Sequence, residues 1–193
     1  PVYVDSPLAV NITDVFRKHW REYDHEARAM MGSEAGRTAL GFDRLTYIRS
    51  VEESKRLNEI DEPMVIISAS GMAETGRVLH HLEHNIHDPN STVLIVSWQA
   101  PHTLGRRLLE GVEKVRIWGT EYERRIGVER VKGFSAHAGQ NFLREYAGAL
   151  KGRAKEIFLV HGEPKTAGVF RALLKQDGFD KVHFPQKSST VDL

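Results

Sequence analysis

The chain contains no cysteine. That removes disulfide frameworks and thiolate metal sites, and it fits a reducing compartment such as the cytoplasm. Long apolar runs are missing too. The two longest, residues 64–68 and 93–97, have strand length, far short of the roughly 18 residues a membrane helix needs. Neither charge sign dominates: 27 Lys and Arg stand against 26 Asp and Glu, net +1. Nucleic-acid binding would therefore need a local groove, because the body as a whole is not basic. No basic leader, signal peptide or initiating Met precedes the strand-like Val2-Tyr3-Val4, so the sequence reads as starting inside a longer polypeptide. What is present is ordinary globular composition, 40% hydrophobic and 27% charged over 193 residues. That is one large domain or one and a half small ones. Ten histidines make metal chemistry worth testing.

The hydrophobic pattern alternates between strand and helix. A short apolar strand at 2–4 is turned by Asp5-Ser6-Pro7, with Pro7 suited to a first helical turn. Helical spacing follows from about residue 8 to 20, and again over 25–31. A strand at 45–48 leads to Ser50, which with Glu53 three residues on forms a capping-box pattern for a helix through Leu57. Residues 64–68 and 92–97 read as buried strands, each followed by a small-residue or polar loop and then a helix, at 77–85 and 104–109. Repeated strand–loop–helix units argue for a parallel sheet covered by helices. After about residue 112 the alternation becomes cleaner, and 115–118 and 122–131 read as antiparallel strands. Helices over 138–150 and 165–176 and strands at 156–160 and 181–184 complete the pattern, with a soft boundary near residue 120.

Five segments could carry chemistry. The run from Ser68 to Arg77 takes a buried strand through small residues into a helix start, a geometry that can present backbone N–H groups and Arg77 to a phosphate. A plain tight turn is the competing reading, since there is no Walker lysine and no GxGxxG. The run from Val96 to Arg107 is a second strand end, and in parallel sheets ligands collect outside the carboxyl ends of strands. A solvated loop is its alternative. His80 and His84 share a helix face and could hold zinc, although a hydrogen-bonded histidine cluster explains them as well. His137 sits in a turn before a helix, and His161 at the carboxyl end of an apolar strand, where a sheet would fix its ring for a metal. A structural, hydrogen-bonded histidine remains the alternative for each.

Taken in order, the motifs are more specific than any one of them. Tyr3-Val4-Asp5-Ser6-Pro7-Leu8-Ala9, Ser68-Ala69-Ser70-Gly71-Met72, Gly76-Arg77, Leu79-His80-His81-Leu82, Thr103-Leu104-Gly105-Arg106, Gly133-Phe134-Ser135-Ala136-His137-Ala138 and Leu159-Val160-His161-Gly162-Glu163 follow one another along the chain. This set resembles the β-CASP family of metallo-β-lactamase-fold ribonucleases, the prokaryotic relatives of the endonuclease of the eukaryotic cleavage and polyadenylation machinery. The resemblance implies an α/β fold: a parallel helix-covered sheet, the β-CASP cap, over residues 1–120, followed over 121–193 by strands and helices of a partial metallo-β-lactamase αββα fold. It implies zinc-dependent hydrolysis of RNA phosphodiester bonds, with two zinc ions in the complete enzyme. His161 is implied as a metal ligand and His137 as a catalytic residue near the scissile phosphate. Ser70, Gly71, Thr75, Arg77 and Arg106 are implied as contacts to the RNA backbone. The implied partner is RNA, without a membrane, in a cytoplasmic protein, with a homodimer as one assembly.

The departures from the family pattern matter equally. The HxHxDH zinc motif, a further motif histidine, the bridging aspartate and the motif A acid are absent from this sequence, and so are the first strand and helix of the cap. Many members carry Asp where this chain has Gly139. The expectation is a piece of an enzyme, inactive alone and unable to hold a di-zinc centre by itself. The runner-up reading is a non-catalytic RNA-binding cap. A doubly wound nucleotide-binding domain is the third, and it lacks the Gly-rich fingerprint and an acidic ribose partner.

Overall fold

The computed structural model describes residues 1–32, 41–134 and 137–190. The chain divides into two compact units, Pro1–Ser135 and Ala136–Leu193. Strand β1 (Val2–Asp5) is followed by α1 (Pro7–Lys18), a 3-10 turn (Trp20–Glu22) and α2 (His25–Gly32). Ser6 caps α1 by accepting a hydrogen bond from the Ala9 N–H, with Pro7 in the first turn. Next come β2 (Leu45–Tyr47), α3 (Val51–Leu57), β3 (Val65–Ser68), α4 (Arg77–Asn85), β4 (Thr92–Ile95) and α5 (Leu104–Leu109). The capping box at α3 is complete: Ser50 Oγ accepts from the Glu53 N–H, and the Glu53 carboxylate accepts from the Ser50 N–H.

In this first unit β1 is the middle strand of a parallel sheet, β2-β1-β3. A hairpin follows, β5 (Lys114–Ile117) and β6 (Thr120–Glu123), paired antiparallel. β7 (Gly127–Arg130) does not continue that hairpin; it pairs in parallel with β4. The antiparallel run expected over 122–131 is thus two strands with different partners. The break is at Arg125 and Ile126, whose N–H groups both donate to the Ile86 carbonyl. Residue 120 lies inside the hairpin, and the first compact unit runs on past it through the β4–β7 pairing.

The core of this unit is built by α4 (Leu79, Leu82), Ile86 just beyond it, α5 (Leu104, Leu108), Ile95, Val115, Ile117 and Ile126. Ile86, Leu108, Val115 and Ile117 are at most 1% exposed, each worth about 1.5–3 kcal/mol of burial. The two strands expected to be buried throughout alternate between exposed and more covered positions. Val65 and Ile67 on β3 and Leu94 on β4 are about half exposed.

The second unit contains α6 (Gln140–Gly148), β8 (Ile157–Phe158), α7 (Pro164–Gln176) and β9 (Val182–His183), with β8 and β9 parallel. Its core is Ala147, Leu174, Phe179 and Val182, with Ile157, Leu159 and Phe170 against it. A two-pronged Arg144–Asp177 pair, at 2.7 and 2.5 Å, clips α6 to the end of α7. No helix among the described residues is long and apolar enough to cross a membrane.

Asp5 ends β1 and is fully buried. Its Oδ2 accepts from Ser54 Oγ on α3 (2.6 Å) and from His81 Nε2 on α4 (2.7 Å), and its Oδ1 pairs with Arg77 Nη1 (2.5 Å). Burial alone would push this carboxyl up, but the bonds from Ser54, His81 and Arg77 and the Arg77 charge outweigh it, so it titrates below its ordinary value. Its contribution to stability is therefore complete above the unfolded value near 4 and is lost as pH falls through the lower folded value. Replacing Asp5→Asn should cost about 3 kcal/mol in urea unfolding at neutral pH, since it strands a half-buried guanidinium. The variant should also lack the part of the stability loss that the parent chain shows below about pH 4, which unfolding curves across an acid pH series would measure.

Candidate nucleic-acid interface

Two loops at the carboxyl ends of β3 and β4 meet. The Gln99 side-chain N–H group donates to the Gly71 carbonyl at 2.7 Å, and Ser97 Oγ donates to the same carbonyl at 3.1 Å. The Gly105 N–H donates to the Met72 carbonyl (3.0 Å), and the Leu104 N–H to the Glu74 carboxylate (2.5 Å). Glu74 thus reaches from the first loop to the N-terminus of α5, where negative charge is favourable. Gln99 is only 2% exposed. Its Nε2 lies within bonding distance of Gly71 O, Ser97 O, Ser97 Oγ and Trp98 O, which fixes the orientation of the amide. Its Oε1 has no donor among the described residues and presses on Gly105, where an added Cβ would sit 1.8 Å away. Only glycine fits at that position.

The residues expected at the RNA backbone occupy different settings. Ser70 Oγ is turned inward and accepts from the Glu74 and Thr75 N–H groups, while the Ser70 N–H donates to the Thr75 carbonyl. Gly71 spends its carbonyl on the second loop. Both residues shape the loop. Thr75 is exposed, and Arg106 is partly exposed with its Nε on Glu110 (2.6 Å). Arg77 is corrected. Its guanidinium is held by Asp5 and by the Arg49 carbonyl, to which Nη2 donates at 3.2 Å, so its charge is already neutralised inside the fold. At Gly76 (φ +86), an added Cβ would come within 2.5 Å of the Ala69 carbonyl oxygen, so this turn also depends on glycine. The exposed Trp98 (51%) stands between Ser97 and Gln99. Its neighbours Ser97 and Gln99 anchor the latch, a link that no local pattern signals.

His81 is settled by its surroundings: Nε2 donates to Asp5, and Nδ1 lies 2.8 Å from the Asn58 side chain. It is structural. His80 and His84 remain exposed on α4.

The second unit carries the other two histidines. His161 is exposed and follows a strand that ends at Phe158, not at residue 160 as the apolar run implied. Val160 is 73% exposed, and His161 takes a left-handed φ of +60. The ring is therefore presented by a turn rather than fixed by a sheet. His137 is exposed two residues before Gly139, the N-cap of α6. Gly139 supplies no side-chain cap, so the departure from Asp leaves the first N–H groups of α6 without that acceptor. Ser135 and Ala136 of the same motif lie outside the described residues. Among the described residues, no group of three or more His, Asp or Glu could hold a metal ion. Zinc needs three or four ligands, so the described residues do not fit a zinc centre on their own.

The parallel strands with their helices, the latched loops at the ends of β3 and β4 and the smaller α/β unit define a two-part α/β protein. Residues 1–108 match the Beta-Casp domain, and residues 121–185 match the Zn-dependent metallo-hydrolase RNA specificity domain. The chain belongs to the β-CASP family of metallo-β-lactamase-fold ribonucleases. It is 36% identical over 180 residues to Ribonuclease TTHA0252 of Thermus thermophilus, covering 92% of this chain and 40% of that protein. It is 31% identical over 188 residues to Transcription termination factor FttA of Methanocaldococcus jannaschii, covering 93% of this chain and 29% of that protein. The FttA of Methanosarcina mazei is 27% identical over 171 residues, covering 86% of this chain and 26% of that protein. The chain spans two fifths or less of these three relatives.

The latch is testable by crowding it. Gly105→Ala should lower stability by about 1–3 kcal/mol, the usual cost of overpacking. Gln99→Ala in the same chain should recover part of that loss, because it removes the nearest clashing atom. Thermal unfolding of the two single variants and the double variant reads the coupling directly.

Proposed function

We propose that this chain is the cap and the C-terminal catalytic-domain portion of a zinc-dependent ribonuclease that hydrolyses RNA phosphodiester bonds, in RNA processing or degradation, in the cytoplasm. Residues 1–120 are the β-CASP domain and residues 121–193 the end of the metallo-β-lactamase domain. One observation carries the reading: an RNA-specificity segment follows a β-CASP segment in the same chain, and relatives over both are named as a ribonuclease and a transcription termination factor.

In this reading the latched loops form a fixed surface for the RNA backbone. Thr75 and Arg106 contact phosphates, Ser70 and Gly71 hold the loop in shape, and the exposed Trp98 supplies a face for a base. Contacts of this kind give affinity and register but little sequence information. His137 protonates the leaving oxygen or stabilises the charge that develops on the phosphate. His161 is one ligand of a centre whose other ligands lie elsewhere in a longer polypeptide; zinc there would supply Lewis-acid activation of the phosphate. The second reading is a cap that binds RNA without cleaving it.

A polypeptide of the relatives' length that includes this chain separates the two. His161→Ala should lower both zinc content and RNA cleavage. His137→Ala should retain zinc and slow single-turnover cleavage by about 10²–10⁴-fold, the range of a lost general acid. RNA binding with no cleavage by the unsubstituted polypeptide would establish the non-catalytic cap instead.

A further inference from the structure

The β5–β6 hairpin turns on two residues, Trp118 and Gly119, with φ of +53 and +83. Positive φ at both central positions is the requirement of a type I′ turn, for which Asn-Gly is the favoured pair. An indole at the first position is an outlier, since bulky side chains rarely take a left-handed conformation. Burial does not offset this, because Trp118 is 56% exposed. Its ring contact is with His80 of α4, with centroids 5.2 Å apart and planes tilted by 37°. A strained, exposed aromatic braced by a second ring is a feature to explain by function.

His80 also lines a groove of about 490 Å³ between α3 and α4. Its walls carry Lys55 and Asn58 on the α3 side and Glu83, His84 and His87 on the α4 side. Glu83 accepts a hydrogen bond from Tyr122 Oη on β6 at 2.7 Å. Lys55 and His84 make no ion pair among the described residues. The lining contains a single aliphatic residue, Val51. A groove that carries one lysine and several histidine donors beside an aromatic platform joins a phosphate contact to a stacking face, the two elements by which proteins hold single-stranded nucleic acid.

We infer that Trp118 and His80 form a base-stacking platform, and that the α3–α4 groove beside them, through Lys55 and His84, holds the flanking phosphates of single-stranded RNA. This site is built from different elements than the latched loops. It rests on the RNA reading above and adds a second point of attachment outside that surface.

The test uses this chain with a labelled, unstructured 12-nucleotide RNA, followed by fluorescence anisotropy. Trp118→Ala should weaken binding by about 5–100-fold, the range for losing one base–aromatic stack, while Trp118→Phe keeps most of the affinity. Trp118→Asn creates the favoured turn pair, so it should hold or raise the thermal midpoint and still lose affinity, which separates stacking from folding. Lys55→Ala should reduce the salt slope by about one phosphate contact. Unchanged affinity in Trp118→Asn, with Trp98→Ala weakening binding, overturns this site and leaves the latched-loop surface standing. No RNA binding by the unsubstituted chain overturns both.

Discussion

One buried carboxylate ties the first unit together. Asp5 ends the central strand and accepts hydrogen bonds from α3 through Ser54 and from α4 through His81, while Arg77 supplies the compensating charge. An isolated carboxylate at zero exposure would be costly, so those partners are conditions for the strand to end where it does. The pair gives position more than net stability, since buried ion pairs often only break even against apolar packing. Its consequence is placement. Arg77 opens α4, Ser68 Oγ donates to the Asp5 carbonyl at 2.9 Å, and the loop between Ser68 and Arg77 is therefore pinned at both ends to the same residue.

From that pinned loop the latch to the second loop follows. Gly71 offers its carbonyl to Gln99 and Ser97, Met72 its carbonyl to Gly105, and Glu74 its carboxylate to the start of α5. The surface that the RNA reading requires is preorganised by backbone groups and one buried amide. Charge on that surface is sparse, in keeping with a chain whose total is nearly balanced.

Much of this was readable in the residues, for identifiable reasons. The Ser50–Glu53 capping box is a local hydrogen-bond pattern, so it could be read from spacing alone, and it is present. The bounds of α4 and α5 followed from the repeated strand–loop–helix pattern. Partners brought from far along the chain could not be read. Arg77 has the local look of an anion contact, but its anion is Asp5, seventy-two positions upstream. The stretch before Val131 alternates as an antiparallel strand would, yet the partner of β7 is β4, and alternation does not encode which strand lies alongside. Trp118 read as a strand end because a left-handed φ leaves no trace in a hydropathy pattern. His161 followed an apolar run that resembled a continuous strand, and only the structure stops that strand at Phe158.

The central position of β1 also bears on the order of assembly. Val2 pairs with Leu45 on one side and with Val65 on the other, so no pairing in this sheet is local. During synthesis at roughly 5–20 residues per second, β1 must wait several seconds for β3 to be made. Through that interval Val2, Tyr3 and Val4 present open backbone edges and apolar side chains, the kind of segment that recruits other chains. Asp5 adjoins them and is still hydrated and charged at that stage, which is the arrangement of a gatekeeper residue. The carboxylate that later locks the sheet from within is thus placed where a charge opposes the pairing of the waiting strand with a neighbouring chain.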